Sequence, residues 1–412
     1  MDAGRDDLSS RLRARASVVL ILGGLTAFGP LSIDMYLPGL PSLGRTLDAP
    51  AWAVQLTLTA CLAGLALGQV LAGPLSDRFG RRRPLLAGVA LYAAASLLCA
   101  AAPSVAVLVA LRLLQGAAGA AGIVIARAMV RDMHSGAAAA RFFSLLMLVN
   151  GLAPILAPVI GGQVLEVTTW RGVFVVLAGI GVLLVAAAAA GLRETLPPER
   201  RHPGGIGETA RTFGRLLGDR SFLGYALACG LAFGAMFAYI SGSPFVIQDI
   251  YGASPQLFSV MFATNAFGLV LASQVNRALL RRLEPRTILR AALSVQALAG
   301  VALLVVVAAG GGVWGIVPLL FVVVASLGLV MPNATALALA DHPRVAGSAS
   351  GLLGVLQFIV GAATAPLVGV AGTGTALPMA LTIAVLGVGG ALSATALATG
   401  PRRVARPVEA AR

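Results

Sequence analysis

Two ionisable residues stand out because of where they occur. Asp34 lies in SIDMYLPGLP and Arg112 in LRLLQGAAGA, each inside an apolar run of membrane-crossing length. A charge held in hydrocarbon costs roughly 2.5–3.5 kcal/mol on insertion scales, so an acid kept there is a functional candidate. Asp34 is the only acid clearly within such a run. The chemistry open to a lone carboxyl is reversible protonation. Burial favours the neutral form of a carboxyl and a nearby guanidinium favours the charged one, so its state can follow its surroundings. Asp34 sits about four residues, and Arg112 about seven, from the outer end of its run, which puts them roughly one helical turn apart in depth. The pair is therefore read as proton-coupling residues facing one cavity. A fixed structural ion pair, or an Asp34 already in a wet outer vestibule, is the plainer alternative.

Two further patterns carry charge or shape. GPLSDRFGRRRP, Gly73 to Pro84, sets Asp77, Arg78, Arg81 and Arg82 around Gly80, which permits a tight turn. Asp77 lies near the start of the next helix, where the helix dipole favours an anion. The pattern is read as a gating element; a simple basic anchor is the alternative. GLAPILAPVIGG places Gly151, Pro154, Pro158, Gly161 and Gly162 inside one run. Small residues let helices pack closely and proline bends them, so this segment either seals a cavity against leak or merely packs.

Polar residues within the runs are candidates to line a substrate cavity. Tyr36, Gln55, Gln115, Tyr239, Asn333 and Gln357 are chosen, with hydrogen bonding between helices as the other use for each. Asn150, Asn265 and Gln274 are further intramembrane polar residues, and SGSP at Ser241 to Pro244 predicts a broken or kinked helix. No catalytic residue, metal site or cofactor is expected. His134, His202 and His342 fall in polar segments, and Cys61, Cys99 and Cys229 lie singly in apolar ones.

The elements that must position these residues are transmembrane helices. The chain has 412 residues, 58% hydrophobic and 11% charged, well below the roughly 25% charged of a soluble domain. Its apolar runs fall near 17–38, 52–73, 84–102, 105–127, 141–164 and 172–192. A second six follow near 221–247, 255–276, 287–309, 313–337, 345–370 and 376–399. The first is too long for the core of a cleavable signal. Of the 30 basic residues, all arginine, 27 fall in alternate polar segments, which puts both termini in the cytoplasm. Trp52, Trp170 and Trp314 fall at the opposite ends, where an aromatic belt is expected. The net charge of +14 is thus topological, and nucleic acid is not expected as a partner. LAGPLSDRFGRRRP from Leu71 is echoed by LASQVNRALLRRLEP from Leu271, the mark of a paired repeat. The division is into an N-terminal bundle (1–192), a cytoplasmic central loop (193–220) and a C-terminal bundle with its tail (221–412).

With these residues in place, the chain resembles the major facilitator superfamily, and within it the bicyclomycin-resistance (Bcr/CflA) type of drug:proton antiporter. GPLSDRFGRRRP looks like the superfamily's loop between spans two and three. Arg112, Gln115 and Gly116 look like its span-four motif, tied to proton transfer. GLAPILAPVIGG is similar to the antiporter motif, with Ala157 where glycine is common. DMYLP from Asp34, SPFVIQDIYG from Ser243, PNATALAL and AGSASGLLG look like signatures of the bicyclomycin-resistance type. The resemblance implies an all-α membrane protein, two pseudo-symmetric six-helix bundles about a central cavity, and proton-driven export by alternating access. It implies a monomer in the bacterial inner membrane, with protons, lipid and a small amphipathic drug-like substrate as partners. It also implies a charge relay of Asp77, Arg81 and Asp132 that breaks when the cytoplasmic side opens. Asn276 and Arg277 replace Ser76 and Asp77 in the second copy, so that copy is expected to be degenerate.

Rival classes fit less well. Export of a physiological metabolite or siderophore, with incidental drug transport, is an alternative of the same kind. An enzyme needs clustered acids or histidines in the spans, and a channel needs a filter or pore ring. An ATP-driven pump needs a phosphate-binding lysine, and the chain has no lysine.

Overall fold

A computed structural model describes residues 17–134, 136–201, 206–342, 345–369, 372 and 374–397. Residues 1–16 and 398–412, the termini expected in the cytoplasm, lie outside the described residues, as does His202. The described chain is helical, without strands. Its helices are α1 (Ser17–Thr26), α2 (Phe28–Asp34), α3 (Leu40–Thr46), α4 (Ala51–Phe79), α5 (Arg82–Ala100), α6 (Val105–Met133), α7 (Gly136–Val167) and α8 (Trp170–Gly191). There follow α9 (Ile206–Leu217), α10 (Arg220–Pro244), α11 (Pro255–Leu279), α12 (Pro285–Ala308), α13 (Val313–Ala340), α14 (Ala346–Gly369) and α15 (Leu377–Ala396). Among the described residues 11 helices are long and apolar enough to cross a membrane, and the bent first span makes up to 12.

That first span departs from its expected shape. It bends by 47° between Thr26 and Phe28. Pro30 explains the bend, because it has no N–H for the Thr26 carbonyl and its ring crowds that carbonyl. Pro38 repeats the effect at Asp34, so α2 ends there and passes through a 3₁₀ turn, Leu37–Gly39, into α3. The span therefore continues to Thr46 rather than stopping near 38. Asp34 lies at a break well inside the bundle, not close to the outer end.

Other differences have equally local causes. Helices α4, α6, α11 and α13 run several residues past their apolar stretches, because caps and glycines end a helix and lipid does not. The expected break at SGSP is milder: α10 runs through Pro244 and loosens into a π-helical turn, Phe245–Ile250. Trp52 and Trp314 are exposed as belt residues should be, but Trp170 is only 1% exposed. It packs edge-on against Phe174, with Arg171 over its ring. The central segment contains helix α9, whose Phe213 and Leu216 pack on the α10–α15 core.

One core cluster is built only from residues between Ile21 and Leu192, another only from residues between Leu216 and Ala394, and a third joins the two sets. Each set uses the same device at its centre. A side chain on Gly64 of α4 would strike the α6 backbone, and one on Gly328 of α13 would strike that of α11. We call the end carrying Arg81, Arg131 and Arg281 the Arg-rich end, and the end carrying the three tryptophans the Trp end.

Candidate functional site

A cavity of about 440 Å³ lies between the two sets of helices. Asp34 of α2, Arg127 of α6, and Asn150 and Pro154 of α7 form one wall. Phe233, Phe237 and Tyr239 of α10, Phe262 of α11, and Gln357 and Phe358 of α14 form the other. Exposure rises along it, from 5% at Asp34 to the exposed Arg127, so the cavity opens toward the Arg-rich end. The other end is closed. Four hydrogen bonds join the two sets of described helices, all on the Trp side: Gln55 Nε2 to the Ser241 carbonyl at 3.0 Å, Thr59 to the Ala362 carbonyl, Gln256 to the Gly162 carbonyl, and Arg45 to Asp249 at 3.1 Å.

The Asp34 carboxyl lines this cavity and has no hydrogen-bond or salt-bridge partner among the described residues. Arg112 is not in the cavity wall, contrary to expectation. It is fully buried behind that wall, where its Nη2 donates to the Ser32 carbonyl at 2.9 Å and its Nη1 to Gln115 Oε1 at 2.5 Å. The Ser32 carbonyl is available because α2 ends two residues later, which leaves its last carbonyls without helical partners. The guanidinium also stands over the Tyr36 ring at 4.6 Å and the Phe174 ring at 5.6 Å.

The six residues chosen for the cavity separate accordingly. Tyr239 and Gln357 are in the wall. Tyr36, bonded to the Thr57 hydroxyl, and Gln115, bonded to Ser96, support Arg112 instead. Gln55 belongs to the Trp-end closure. Asn333 donates to Asn276 Oδ1 at 2.6 Å and to the Leu329 carbonyl, away from the cavity. Arg127 is a wall residue that the sequence reading does not single out. Its spacing of four from Ile123 was the available signal, since α6 continues to Met133 and both residues share one face.

The proline-glycine segment of α7 touches both sides of the break near Asp34. Pro154 lines the cavity and Pro158 is buried. Gly161 lies so close to the Met35 carbonyl that no Cβ fits between them, and Gly162 lies against Ser259 of α11. Gly151 faces Val270 with room to spare.

At the Arg-rich end, Arg81 bridges Asp77 at 2.5 Å and Asp132 at 2.9 Å, and also donates to Ser76. Burial disfavours its charge, but the two carboxylates outweigh this and hold its pKa above the ordinary value. Gly80 turns the chain with φ +84°. The anion at the start of α5 is Glu194, not Asp77 as expected: its carboxylate accepts from the Arg81 and Arg82 amides at 2.8 and 3.1 Å. Burial pushes the Glu194 carboxyl up, and donors at Leu196, Arg81, Arg82 and Thr195 outweigh it, so its pKa lies below the usual value. Arg82 also donates to the Leu192 and Ala189 carbonyls; Arg78 lies over Phe79, and Gly73 faces open space. The cluster joins the first set of helices to Glu194 in the segment just after it, and none of its members comes from the second set. It is formed while the cavity opens at the same end, so the implied rupture of the relay on opening is not what is seen. In the second copy Asn276, at the place of Ser76, pairs with Asn333, and Arg277 stands where the first copy has Asp77. Among the described residues there is no metal-binding cluster.

Residues 22–366 match the Major Facilitator Superfamily. The chain is 44% identical to YdgK of Bacillus subtilis (strain 168), described as an uncharacterized MFS-type transporter, over 92% of this chain and 95% of that one. It is 34% identical to a bicyclomycin resistance protein homolog of Haemophilus influenzae, over 89% and 92%. Its fold is similar to the crystal structure of a mutant of the nucleoside transporter NupG, with a TM-score of 0.74 at 13% identity, covering 92% of this chain and 99% of that one.

Proposed function

The chain belongs to the Major Facilitator Superfamily, and from that premise we propose that it is a proton-coupled efflux antiporter of the bacterial inner membrane. It is a membrane transporter rather than an enzyme. The reading places the Arg-rich end and both termini in the cytoplasm, in keeping with the arginine distribution. Its substrates are small amphipathic drug-like molecules, in line with the bicyclomycin-resistance relative. The chain works as a monomer with the proton gradient as its energy source, since each chain carries its own cavity.

In this cycle the substrate enters from the cytoplasm or inner leaflet into the aromatic cavity and approaches the ionised Asp34. Rocking of the two helix sets parts the Gln55–Ser241, Gln256–Gly162 and Arg45–Asp249 contacts and opens the Trp end. A proton from outside then neutralises Asp34 and displaces the substrate. The neutral carboxyl returns at little cost, whereas a bare charge would resist burial. Arg112 acts indirectly, by holding the end of α2 that carries Asp34. Gly161 and Gly162 keep α7 against the first span and α11, which limits leak during the movement.

The observation that carries the proposal is the partnerless Asp34 carboxyl in the wall of the central apolar cavity. Everted membrane vesicles test it. An imposed ΔpH should drive drug uptake into the vesicles, and a protonophore should abolish it. Uptake that survives the protonophore would contradict the reading.

A further inference from the structure

The cavity holds a second charge that this cycle leaves unused. Arg127 sits at the mouth, exposed, with no hydrogen-bond or ion-pair partner among the described residues. Asp34, equally partnerless, stands at the closed end. The two belong to neighbouring helices that meet where Ile123 lies beside Gly29. From that contact Arg127 is four residues toward the Arg-rich end and Asp34 five toward the Trp end. At 1.5 Å per residue the two backbones are ~13 Å apart along the cavity. No salt bridge joins them in this structure. The space between is faced by aromatic rings, those of Phe233, Phe237, Phe262 and Phe358 among them.

A buried unpaired charge such as ionised Asp34, 5% exposed, is costly unless a ligand supplies the opposite one, and the exposed Arg127 is free to meet an anion at the mouth. Here both signs are unpaired, one at each end. We propose that the preferred substrates are elongated zwitterions, with an aromatic body, a basic amine that meets Asp34 and a carboxylate that meets Arg127. A guanidinium suits the second contact because it can hold a carboxylate through two parallel hydrogen bonds. A simple amino acid carries its charges too close together to reach both groups. A plain cation satisfies Asp34 but leaves Arg127 facing positive charge. Protonation of Asp34 removes one of the two anchors, so the event that resets the transporter also weakens the ligand.

This inference rests on the reading of the cavity as the substrate site. Binding without any gradient separates its failure from that of proton coupling. The probes are an aryl-piperazine carboxylic acid and its methyl ester, which share a body and an amine and differ in the carboxylate charge. Purified protein in nanodiscs should bind the acid about tenfold more tightly than the ester. Arg127→Gln should weaken the acid about tenfold and leave the ester unchanged or tighter, and Arg127→Lys should restore most of the preference. Asp34→Asn should weaken both probes alike. Equal binding of acid and ester to the wild type overturns the proposal, even if drug efflux remains driven by ΔpH. So does an unchanged acid-to-ester ratio in Arg127→Gln. Should Arg127→Gln fail to fold, as read by its elution profile and melting, the wild-type ratio and the Arg127→Lys variant still decide.

Discussion

Arg112 donates to the backbone carbonyl of Ser32 at 2.9 Å and so does not neutralise Asp34, two residues further on. The guanidinium is spent on a helix end, a glutamine and two aromatic faces. Its removal should therefore act on structure first. Arg112→Ala leaves the Ser32 carbonyl and Gln115 without their partner in a buried site, at a cost of about 2–4 kcal/mol. A clearly lower melting temperature in detergent, with transport lost, is the expected result. An unchanged melting temperature would remove this role.

The Trp-end closure offers a lever on the conformational equilibrium. Arg45 and Asp249 join the two helix sets, with side chains 69% and 32% exposed. Such a pair contributes about 0–1 kcal/mol. Arg45→Ala should therefore raise the population open at the Trp end by no more than about fivefold. The exchanged pair, Arg45→Asp with Asp249→Arg, should restore the original balance. Distance measurements between spin labels on α3 and the Phe245–Ile250 turn would read it, and a shift well above fivefold in the single variant, or one that the exchanged pair fails to reverse, would contradict it.

Gly161 and Gly73 make opposite predictions although both belong to recognisable motifs. A methyl on Gly161 meets the Met35 carbonyl, where backbone cannot easily give way. Gly161→Ala should cost about 1–3 kcal/mol of stability and impair transport. Gly73 faces open space, so Gly73→Ala should melt like the wild type. Melting curves of the two variants side by side check this; equal destabilisation would be inconsistent with the packing.

Glu194 should leave a signature in acid. Its four backbone donors hold the carboxyl below its ordinary pKa despite partial burial. A depressed carboxyl contributes its full stability above the ordinary value, near 4.3, and loses it as the pH falls through the lower folded value. Glu194→Gln should thus melt below the wild type at pH 6, and the two should converge below about pH 4. A difference that persists unchanged into that acid range would mean that the capping contacts are not what Glu194 contributes.

Much of this architecture was legible in the residues. Apolar runs bounded by arginine, proline and glycine specify the spans, because lipid forces every backbone polar group into a helix. Local chemistry that depends on tertiary partners was not. Pro38 hid the continuation to Thr46 and so placed Asp34 too close to the surface. Glu194 lies more than a hundred residues from the helix start it caps, a pairing no local pattern reveals. Helix α9 was masked by its arginines, although Ile206, Ala210, Phe213 and Leu217 recur at helical spacing. Arg127 was missed because an arginine at the edge of an apolar run usually anchors the headgroups, and only the longer α6 turns it into the cavity.

The central claim is that the Asp34 carboxyl exchanges its proton for substrate. Proton release answers it most directly. Purified protein in weakly buffered solution, near neutral pH and with a pH-sensitive dye, is mixed with a saturating amount of a transported drug. The wild type should release protons on binding, up to about one per chain. Asp34→Asn, still folded and still binding the drug, should release none. Equal release from both proteins would contradict the account.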